Sequence, residues 1–387
     1  MSDADFLPYG RPTVSEEDIE AVIEVLRSTW LTTGPRVKAF EAGVAAFTGA
    51  EHAVAVSNGT AALHAMMNAI GIQRGDEVIV PAMTFAATAN AVVYQGGTPT
   101  FADVDPHTLL VDVHSVEERI TPHTRAIVAV DYAGQPCDYD ALRAIADRHG
   151  LRLLADGCHA IGATYRGRGV GTLAELTAFS FHPVKHITTG EGGMITTGDA
   201  ELAERMRAFR NHGITSDHRQ REEKGTWFYE MQHLGFNYRL SDLQCALGLS
   251  QLRNLPAWLR RRSEIAALYD AAFADMTEVT PLETLDGVTH AYHLYVVMVK
   301  AAGQTASATR ERVYAALREA GIGANVHYIP VHLHPYYRET FGTGPGMCPN
   351  AEAAYERILT LPMYPTLSEA DVMRVVGVVK RAVAETV

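Results

Sequence analysis

The residue with the clearest chemical potential in this chain is Lys185, which lies in the segment AFSFHPVKHITTGEGGMITT. Its neighbours are mostly apolar or small, and Gly190, Gly192 and Gly193 follow it. A lysine in such surroundings can lose its proton near neutral pH and attack a carbonyl carbon. Glycines would let the backbone approach a cofactor closely. Most lysines are solvated surface residues, so Lys185 alone establishes no site.

A second candidate is Asp156, at the end of the predicted strand LRLLAD. In parallel α/β sheets the carboxyl ends of the strands line the ligand crevice. A carboxylate there can pair with a cationic ring nitrogen, and His159 follows close enough along the chain to point the same way. The plainer alternative is that Asp156 caps a turn and His159 merely packs.

The third candidate is the segment SNGTAA, residues 57–62, which follows a predicted strand and opens a helix. Such a helix start presents unpaired backbone N–H groups and a positive dipole to a phosphate. The Thr60 hydroxyl could add a donor. A Ser or Thr helix cap without any ligand is the commoner meaning of such a segment.

Together, these segments form the minimum set for holding pyridoxal phosphate. Lys185 would bond covalently to the cofactor, and Asp156 would keep its pyridine nitrogen protonated so that the ring can accept electrons. The helix start at residues 57–62 would bind the phosphate. Phe85 follows another predicted strand and could stack on the ring, although ordinary core packing explains it equally well.

Composition limits the classes of function. The chain has 387 residues, of which 33 are Lys or Arg and 45 are Asp or Glu, a formal charge of −12. An acidic protein of this kind is a poor candidate for nucleic-acid or anionic-membrane binding. We find no apolar run of membrane-spanning length and no signal peptide at the start of the sequence. The four scattered cysteines read as free thiols, so we expect a cytoplasmic protein.

The elements that must position these residues alternate along the chain. Short apolar runs and helical patterns succeed each other up to LRLLAD, which predicts a mostly parallel sheet covered by helices. AFSF and GGMITT could add strands at one edge. Ser15 and Asp18 predict a capping box at the first helix. A long helix interrupted at Pro256 precedes a smaller α+β unit, so we divide the chain into domains 1–252 and 253–387.

Several segments resemble the sugar aminotransferases of the DegT/DnrJ/EryC1/StrS family. They are SNGTAALH, VIVPAMTFAATANAV, FADVDPHTLLVD, YAGQPCD, SFHPVKHITTGEGGM and GFNYRLSDLQCALGLSQL, and the likeness runs from Pro8 to near the C-terminus. The stretches FHPVKHITTGEGG, VHYIPVHLHPYYR and MCPNAE resemble one branch of the family. That branch aminates C4 of a UDP-4-keto-6-deoxy-N-acetylhexosamine on the way to pseudaminic acid.

The resemblance implies a fold-type I, α/β aminotransferase that forms a homodimer with active sites at the subunit interface. It implies that Lys185 carries the cofactor and moves protons, that Asp156 pairs with the pyridine nitrogen, and that His159 lies by the ring. It assigns further cofactor contacts to Thr60, Ala61 and Ser180 (phosphate), Phe85 (ring) and Asn237 (phosphate, from the neighbouring subunit). Gly157 and Cys158 depart from the alanine pair that is commoner between the acid and the histidine.

The same resemblance places a nucleotide-diphosphate sugar and L-glutamate at this site. The expected sugar-nucleotide contacts are Tyr9, Thr33, Arg239, His327, Tyr328 and His332. Three histidines in HYIPVHLHPYY could instead suggest a metal, but no cysteine or carboxylate completes a ligand set, so we expect none. Alternative functions are amination of another UDP-, dTDP- or GDP-linked keto sugar, or a non-catalytic pyridoxal-phosphate-binding regulator. Sugar deoxygenation is disfavoured, since enzymes of that group carry histidine where this chain has Lys185.

Overall fold

The computed structural model describes residues 6–215, 221, 225–300 and 305–384. Residues 1–5, which begin the segment searched for a signal peptide, lie outside this range. The first helix has the predicted capping box, in which Ser15 and Asp18 each bond the other's backbone N–H. The second helix begins at Pro35, a residue suited to a first helical position because it has no N–H to leave unpaired.

Helices lie between the strands and after the last of them. The described α-helices are α1 (Glu16–Leu26), α2 (Pro35–Thr48), α3 (Gly59–Ala69), α4 (Ala86–Tyr94), α5 (Val113–Glu118), α6 (Tyr139–His149), α7 (Ala200–Phe209), α8 (Asp242–Phe273), α9 (Ala306–Glu319), α10 (Pro335–Phe341), α11 (Pro349–Tyr355) and α12 (Glu369–Ala384). None of these helices combines the length and the low charge that crossing a membrane would require.

Strands form one large sheet and two small ones. The strands are β1 (His52–Val56), β2 (Glu77–Pro81), β3 (Thr98–Ala102), β4 (Thr124–Val130), β5 (Arg152–Asp156), β6 (Thr164–Tyr165), β7 (Arg168–Gly169), β8 (Leu176–Ser180), β9 (Gly193–Thr197), β10 (Val279–Pro281), β11 (Val288–Thr289), β12 (Tyr295–Val299) and β13 (Ile358–Leu361). The large sheet has seven strands in the order β1-β9-β8-β5-β4-β2-β3. The small sheets are β10-β12-β13 and β11-β6-β7.

The large sheet is parallel except for β9, which runs antiparallel to both of its neighbours. This confirms the predicted mostly parallel, α/β architecture. AFSF and GGMITT do form strands, β8 and β9, but these lie between β1 and β5 rather than at an edge. The burial of both strands explains the difference, since nearly every residue of the pair is shielded from solvent.

The register brings distant residues to one edge of this sheet. Asp156 pairs with Val130 of β4 and Ala178 of β8, while Ser180 and Val56 both pair with Gly193. The carboxyl ends of β1, β5 and β8 therefore meet, as the crevice rule for parallel sheets requires. The segments that leave these strands carry the residues singled out from the sequence.

The long helix α8 connects two buried apolar clusters. Leu252 and Leu255 belong to the larger cluster, around the seven-stranded sheet, while Ile265 and Tyr269 belong to the smaller one, around β10-β12-β13. The helix runs without a break through Pro256, so the predicted interruption there is wrong. The division at residue 253 falls inside this helix and stays a prediction.

Candidate active site

A cavity of about 660 Å³ opens at the carboxyl edge of the large sheet. Its volume lies within the range of small-molecule sites in proteins, roughly 300–1,000 Å³. It collects predicted residues from six separate stretches of the chain. Those that line it are Tyr9, Thr60, Phe85, Asp156, His159, Ser180, Lys185, His327 and Tyr328.

Lys185 reaches this cavity from the turn that follows β8. Its backbone N–H donates to the His182 carbonyl at 2.9 Å, which fixes the turn. Its Nζ lies 3.4 Å from His293 Nε2. Burial lowers the pKa of the Lys185 amine, and the nearby Cys158 and Asp156 partly oppose this shift. A lowered pKa favours the neutral amine, and the neutral amine is the form that can attack a carbonyl carbon.

The Asp156 carboxylate is held by two hydrogen bonds. Thr88 Oγ1 donates to Oδ2 at 2.7 Å, and the Cys158 N–H donates to Oδ1 at 3.2 Å. Thr84 lies beyond, with its hydroxyl 2.8 Å from that of Thr88. Asp156 therefore makes the turn contact considered from the sequence and also lines the cavity. A carboxylate has about four acceptor positions, so it can still accept an N–H from a bound ring.

The start of α3 also lines the cavity. Its cap is Asn58, whose side chain accepts the Ala61 N–H at 2.8 Å. Ala61 is buried and its N–H is already bonded to Asn58. The expected contact between Ala61 and the cofactor phosphate therefore stays a prediction. Gly59 packs closely on Ser180, because a Cβ on Gly59 would lie 2.9 Å from the Ser180 Cβ. Gly59 and Thr60 are the helix-start residues that the cavity reaches.

Aromatic side chains form part of the cavity wall. His159 Nε2 lies 3.0 Å from the Tyr328 hydroxyl, and burial lowers the pKa of His159 well below its usual value. Its Nδ1 is buried and finds no hydrogen-bond partner among the described residues. Phe85, the residue before α4, is 59% exposed at the cavity wall, so its ring is available to a planar ligand.

Besides Ala61, four predicted residues are not among those that line this cavity. Thr33 and Arg239 line a second, smaller groove, and Asn237 is bridged to Asn211, which also borders that groove. His332 is fully buried and lies 2.9 Å from the Glu352 carboxylate. His332 therefore does not line this cavity, and its expected contact with the substrate stays a prediction.

The sequence did not single out His293, Thr88 or Asn58. Thr88 and Asn58 lie in VIVPAMTFAATANAV and SNGTAALH, two segments already singled out from the sequence. The residues next to them in sequence could therefore have pointed to them. His293 carries no local signal and reaches Lys185 only through the fold. Within the described ranges, no group of three or more His, Cys, Asp or Glu side chains is arranged to hold a metal ion.

The arrangement fits pyridoxal phosphate by the chemistry of its side chains. A buried amine, a carboxylate with acceptor capacity and a helix start with a serine beside it face one space. Bound pyridoxal phosphate could also contact the buried His159 Nδ1, which has no partner among the described residues, and the exposed Phe85 ring. Lys185 would hold the aldehyde carbon, Asp156 the ring nitrogen, and Thr60 with Ser180 the phosphate.

Known proteins of similar sequence and structure share this fold. The chain is 46% identical to the spore coat polysaccharide biosynthesis protein SpsC of Bacillus subtilis, over 97% of this chain and 96% of that protein. The putative sugar aminotransferase Spr1654 of Streptococcus pneumoniae, in its PMP form, superposes with a TM-score of 0.93 at 32% identity, covering 98% of this chain and 100% of that one.

A third similar protein is PseC of Helicobacter pylori, described as an aminotransferase involved in the biosynthesis of pseudoaminic acid. It superposes with a TM-score of 0.92 at 34% identity, covering 98% of this chain and 100% of that one. The model of the DegT/DnrJ/EryC1/StrS aminotransferase family matches residues 12–380. The chain therefore belongs to the DegT/DnrJ/EryC1/StrS aminotransferase family and is a pyridoxal-phosphate-dependent sugar aminotransferase.

Proposed function

We propose that this enzyme transfers the amino group of L-glutamate to C4 of a UDP-4-keto-6-deoxy-N-acetylhexosamine, in the synthesis of pseudaminic acid or a related amino sugar. The convergence of Lys185, Asp156 and the α3 start on one cavity carries the reaction type. Similarity to PseC over nearly the whole chain supports the sugar. Free thiols at all four cysteines are consistent with a cytoplasmic setting.

The side chains of the cavity divide the work of the reaction. Bound pyridoxal phosphate supplies an electron sink for the charge left when a proton leaves a carbon next to nitrogen. Asp156 keeps the ring nitrogen protonated, which strengthens that sink. Lys185 Nζ would carry the proton that leaves the α-carbon of glutamate to the bound cofactor and, in the second half-reaction, would carry a proton from the cofactor to C4 of the sugar. Thr60 and Ser180 hold the phosphate and thereby fix the distance to Lys185.

A different keto sugar is the second candidate substrate, and one observation favours it. The relative with 46% identity, SpsC, is named for spore coat polysaccharide biosynthesis rather than for pseudaminic acid. Amination of another UDP-, dTDP- or GDP-linked keto sugar would use the same cavity and the same Lys185. The two candidates differ only in the contacts made to the sugar hydroxyls and the nucleotide.

We also propose that the enzyme works as a homodimer with shared active sites. Thr33, Asn237 and Arg239 lie together but do not line the cavity of their own chain. The nearby segment 226–236 exposes large apolar side chains, with Trp227 85% and Leu234 73% exposed. Exposed apolar surface of this kind favours a protein partner. A second copy would cover it and bring Asn237 and Arg239 to the neighbouring cavity.

The experiment that tests the function is an absorbance spectrum of the purified enzyme, first with L-glutamate and then with the keto sugar. We expect glutamate to remove the band of the lysine-bound cofactor and the UDP-linked sugar to restore it. Restoration by a dTDP- or GDP-sugar alone would favour the second candidate. A Lys185→Ala variant should give no turnover while remaining folded, and substantial activity without added amine would contradict the role of Lys185.

A further inference from the structure

His293 lies against the reactive lysine without any role assigned so far. Its Nε2 is 3.4 Å from Lys185 Nζ, and its side chain lines the cavity. The residue is nonetheless buried, with 6% of its surface exposed. It comes from the segment before β12, more than a hundred residues along the chain from Lys185, so this contact is made by the fold rather than by local sequence.

The segment that carries His293 is fixed from several directions. The flanking backbone N–H groups of Ala291 and Leu294 donate to the carbonyls of Gly134 and Ala133, at 2.9 and 3.1 Å. The buried guanidinium of Arg262, on α8, donates through Nη1 to the carbonyls of Tyr292, His293 and Met363, at 3.0, 3.4 and 3.1 Å. These bonds fix the backbone that carries the imidazole beside Lys185.

Packing alone does not explain a histidine at this position. Its Nδ1 is buried and has no hydrogen-bond partner within the described part of the chain. His159 and His186 surround it, with ring centroids 4.4 and 5.5 Å away, and their Nδ1 atoms are likewise buried without a partner there. An apolar ring of similar size would fill this space without leaving a polar atom unpaired, and buried unpaired groups are rare enough to call for a reason.

We propose that His293 is a positioning residue for Lys185, whose amine it holds ready whenever that amine is not bonded to the cofactor. Nε2 accepts one N–H of the amine, which leaves the nitrogen lone pair free to attack carbon or to take a proton. The lysine side chain has a flexible four-carbon stem. A fixed acceptor removes much of this conformational freedom, which would otherwise slow each return of the amine to the cofactor.

The charge state of the imidazole agrees with this role. Burial lowers the pKa of His293 well below its usual value, and the positive charges of Lys185 and Arg262 lower it further, as do His159 and His186. The ring is therefore neutral and can accept a hydrogen bond. A protonated imidazole would instead repel an ammonium group and offer it no acceptor.

Two variants and one ligand separate positioning from packing. His293→Phe keeps a ring but has no acceptor, while His293→Asn keeps an acceptor in a smaller side chain. Pyridoxamine phosphate has no aldehyde, so its affinity reports the shape of the cavity independently of the bond to Lys185. The measurements are that affinity, the rate constant for covalent attachment of pyridoxal phosphate to the cofactor-free enzyme, and the isotope effect with α-deuterated glutamate.

For His293→Phe we expect pyridoxamine phosphate affinity within about threefold of wild type, with attachment slowed at least about tenfold. The isotope effect of His293→Phe should rise, because proton transfer by a poorly held amine becomes the slower step. His293→Asn should recover part of the attachment rate. Unchanged attachment in His293→Phe would overturn the proposal, as would a parallel loss of pyridoxamine phosphate affinity. Wild-type enzyme that forms no bond would overturn the assignment of Lys185 itself, on which this inference rests.

Discussion

Asp156 is the side chain proposed to control the reaction without touching the atoms that react. Replacing it by Asn keeps the size and the turn contact but removes the negative charge beside the ring nitrogen. We expect Asp156→Asn to fold, to bind the cofactor phosphate, and to lose at least about a hundredfold in kcat, because the ring becomes a weaker electron sink. Steady-state kinetics and the cofactor spectrum check this. A near-normal rate would show that another acid does this work.

Thr88 supports Asp156 through the 2.7 Å hydrogen bond to Oδ2. Thr88→Val is nearly isosteric and removes this donor, whereas Thr88→Ser keeps it. We expect kcat to fall about tenfold in Thr88→Val and much less in Thr88→Ser, with a stability loss of about 1–3 kcal/mol for the unsatisfied buried groups in the valine variant. Kinetics and urea unfolding of both variants measure this. Equal kcat values for the two variants would contradict a role for the hydroxyl.

Where the signal was local, the sequence led to residues that the fold brings to one cavity, and their roles in the reaction stay predictions. Asp156 ends β5, Thr60 lies in the first turn of α3 and Lys185 lies in the turn after β8, and such positions can be predicted from apolar runs and turn residues. His293 could not be found in this way, because its contact with Lys185 depends on how α8 and the segment before β12 pack. His332 lies close in sequence to His327 and Tyr328 but does not line the cavity with them.

At the scale of elements, the start of α3 is held against β8 at Gly59. A Cβ there would lie 2.9 Å from the Ser180 Cβ and 3.3 Å from the Cys158 sulfur. We expect Gly59→Ala to push the helix start away from Ser180, to weaken cofactor binding at least about tenfold, and to cost about 1–3 kcal/mol of stability through overpacking. Titration of cofactor-free enzyme with pyridoxamine phosphate measures the first effect.

Gly198→Ala is the matched control, because a Cβ at Gly198 meets no atom within 4 Å. It should leave cofactor affinity unchanged. If Gly59→Ala binds the cofactor as tightly as Gly198→Ala does, then close packing at the α3 start is not needed for the phosphate site.

Secondary structure was largely predictable because burial and periodicity coincide in this chain. The strands β1, β2, β4 and β5 are short apolar runs between helices with clear caps, such as Asn58 before α3. The position of β8 and β9 inside the sheet was not predictable, since strand order depends on long-range pairing that no local pattern encodes. Pro256 was misread for a related reason, because tertiary packing of α8 outweighs the local preference against proline.

At the scale of the whole molecule, buried histidines tie stability to pH. Burial lowers the pKa of His64 and of His327 to about 4, from an ordinary value of 6.5. Between these values the unfolded chain binds protons that the folded chain does not, so stability falls as pH drops from about 6.5 to about 4. Each such histidine contributes a slope of about 1.4 kcal/mol per pH unit.

His64→Gln tests this dependence away from the cavity. Its ring nitrogens contact the Tyr238 hydroxyl and the Gln95 amide, both of which a glutamine can also bond. We expect the unfolding free energy of the variant to fall less steeply between pH 6.5 and 4.5, because about one proton fewer is taken up on unfolding. Urea midpoints at several pH values measure this slope. The same slope as wild type would mean that His64 is not a neutral buried group in the folded protein.

The proposed dimer makes the sharpest prediction about the whole molecule, because it places Lys185 and the pair Asn237–Arg239 of one active site on different chains. Lys185→Ala and the double variant Asn237→Ala/Arg239→Ala should each be inactive or nearly so alone. In a mixed dimer, one site would carry both defects and the other would carry none. Equal mixing with subunit exchange makes half of the dimers mixed, so about a quarter of wild-type activity should return.

Recovery of this kind has no explanation if each active site is built from one chain, because every site in the mixture would then carry one of the two defects. Light scattering during chromatography should also give twice the chain mass for wild type. Replacing the exposed Trp227 and Leu234 by serine should shift this mass toward the monomer, since these side chains form much of the apolar face. A monomeric wild type, or a mixture that stays inactive after subunit exchange, would contradict the shared site.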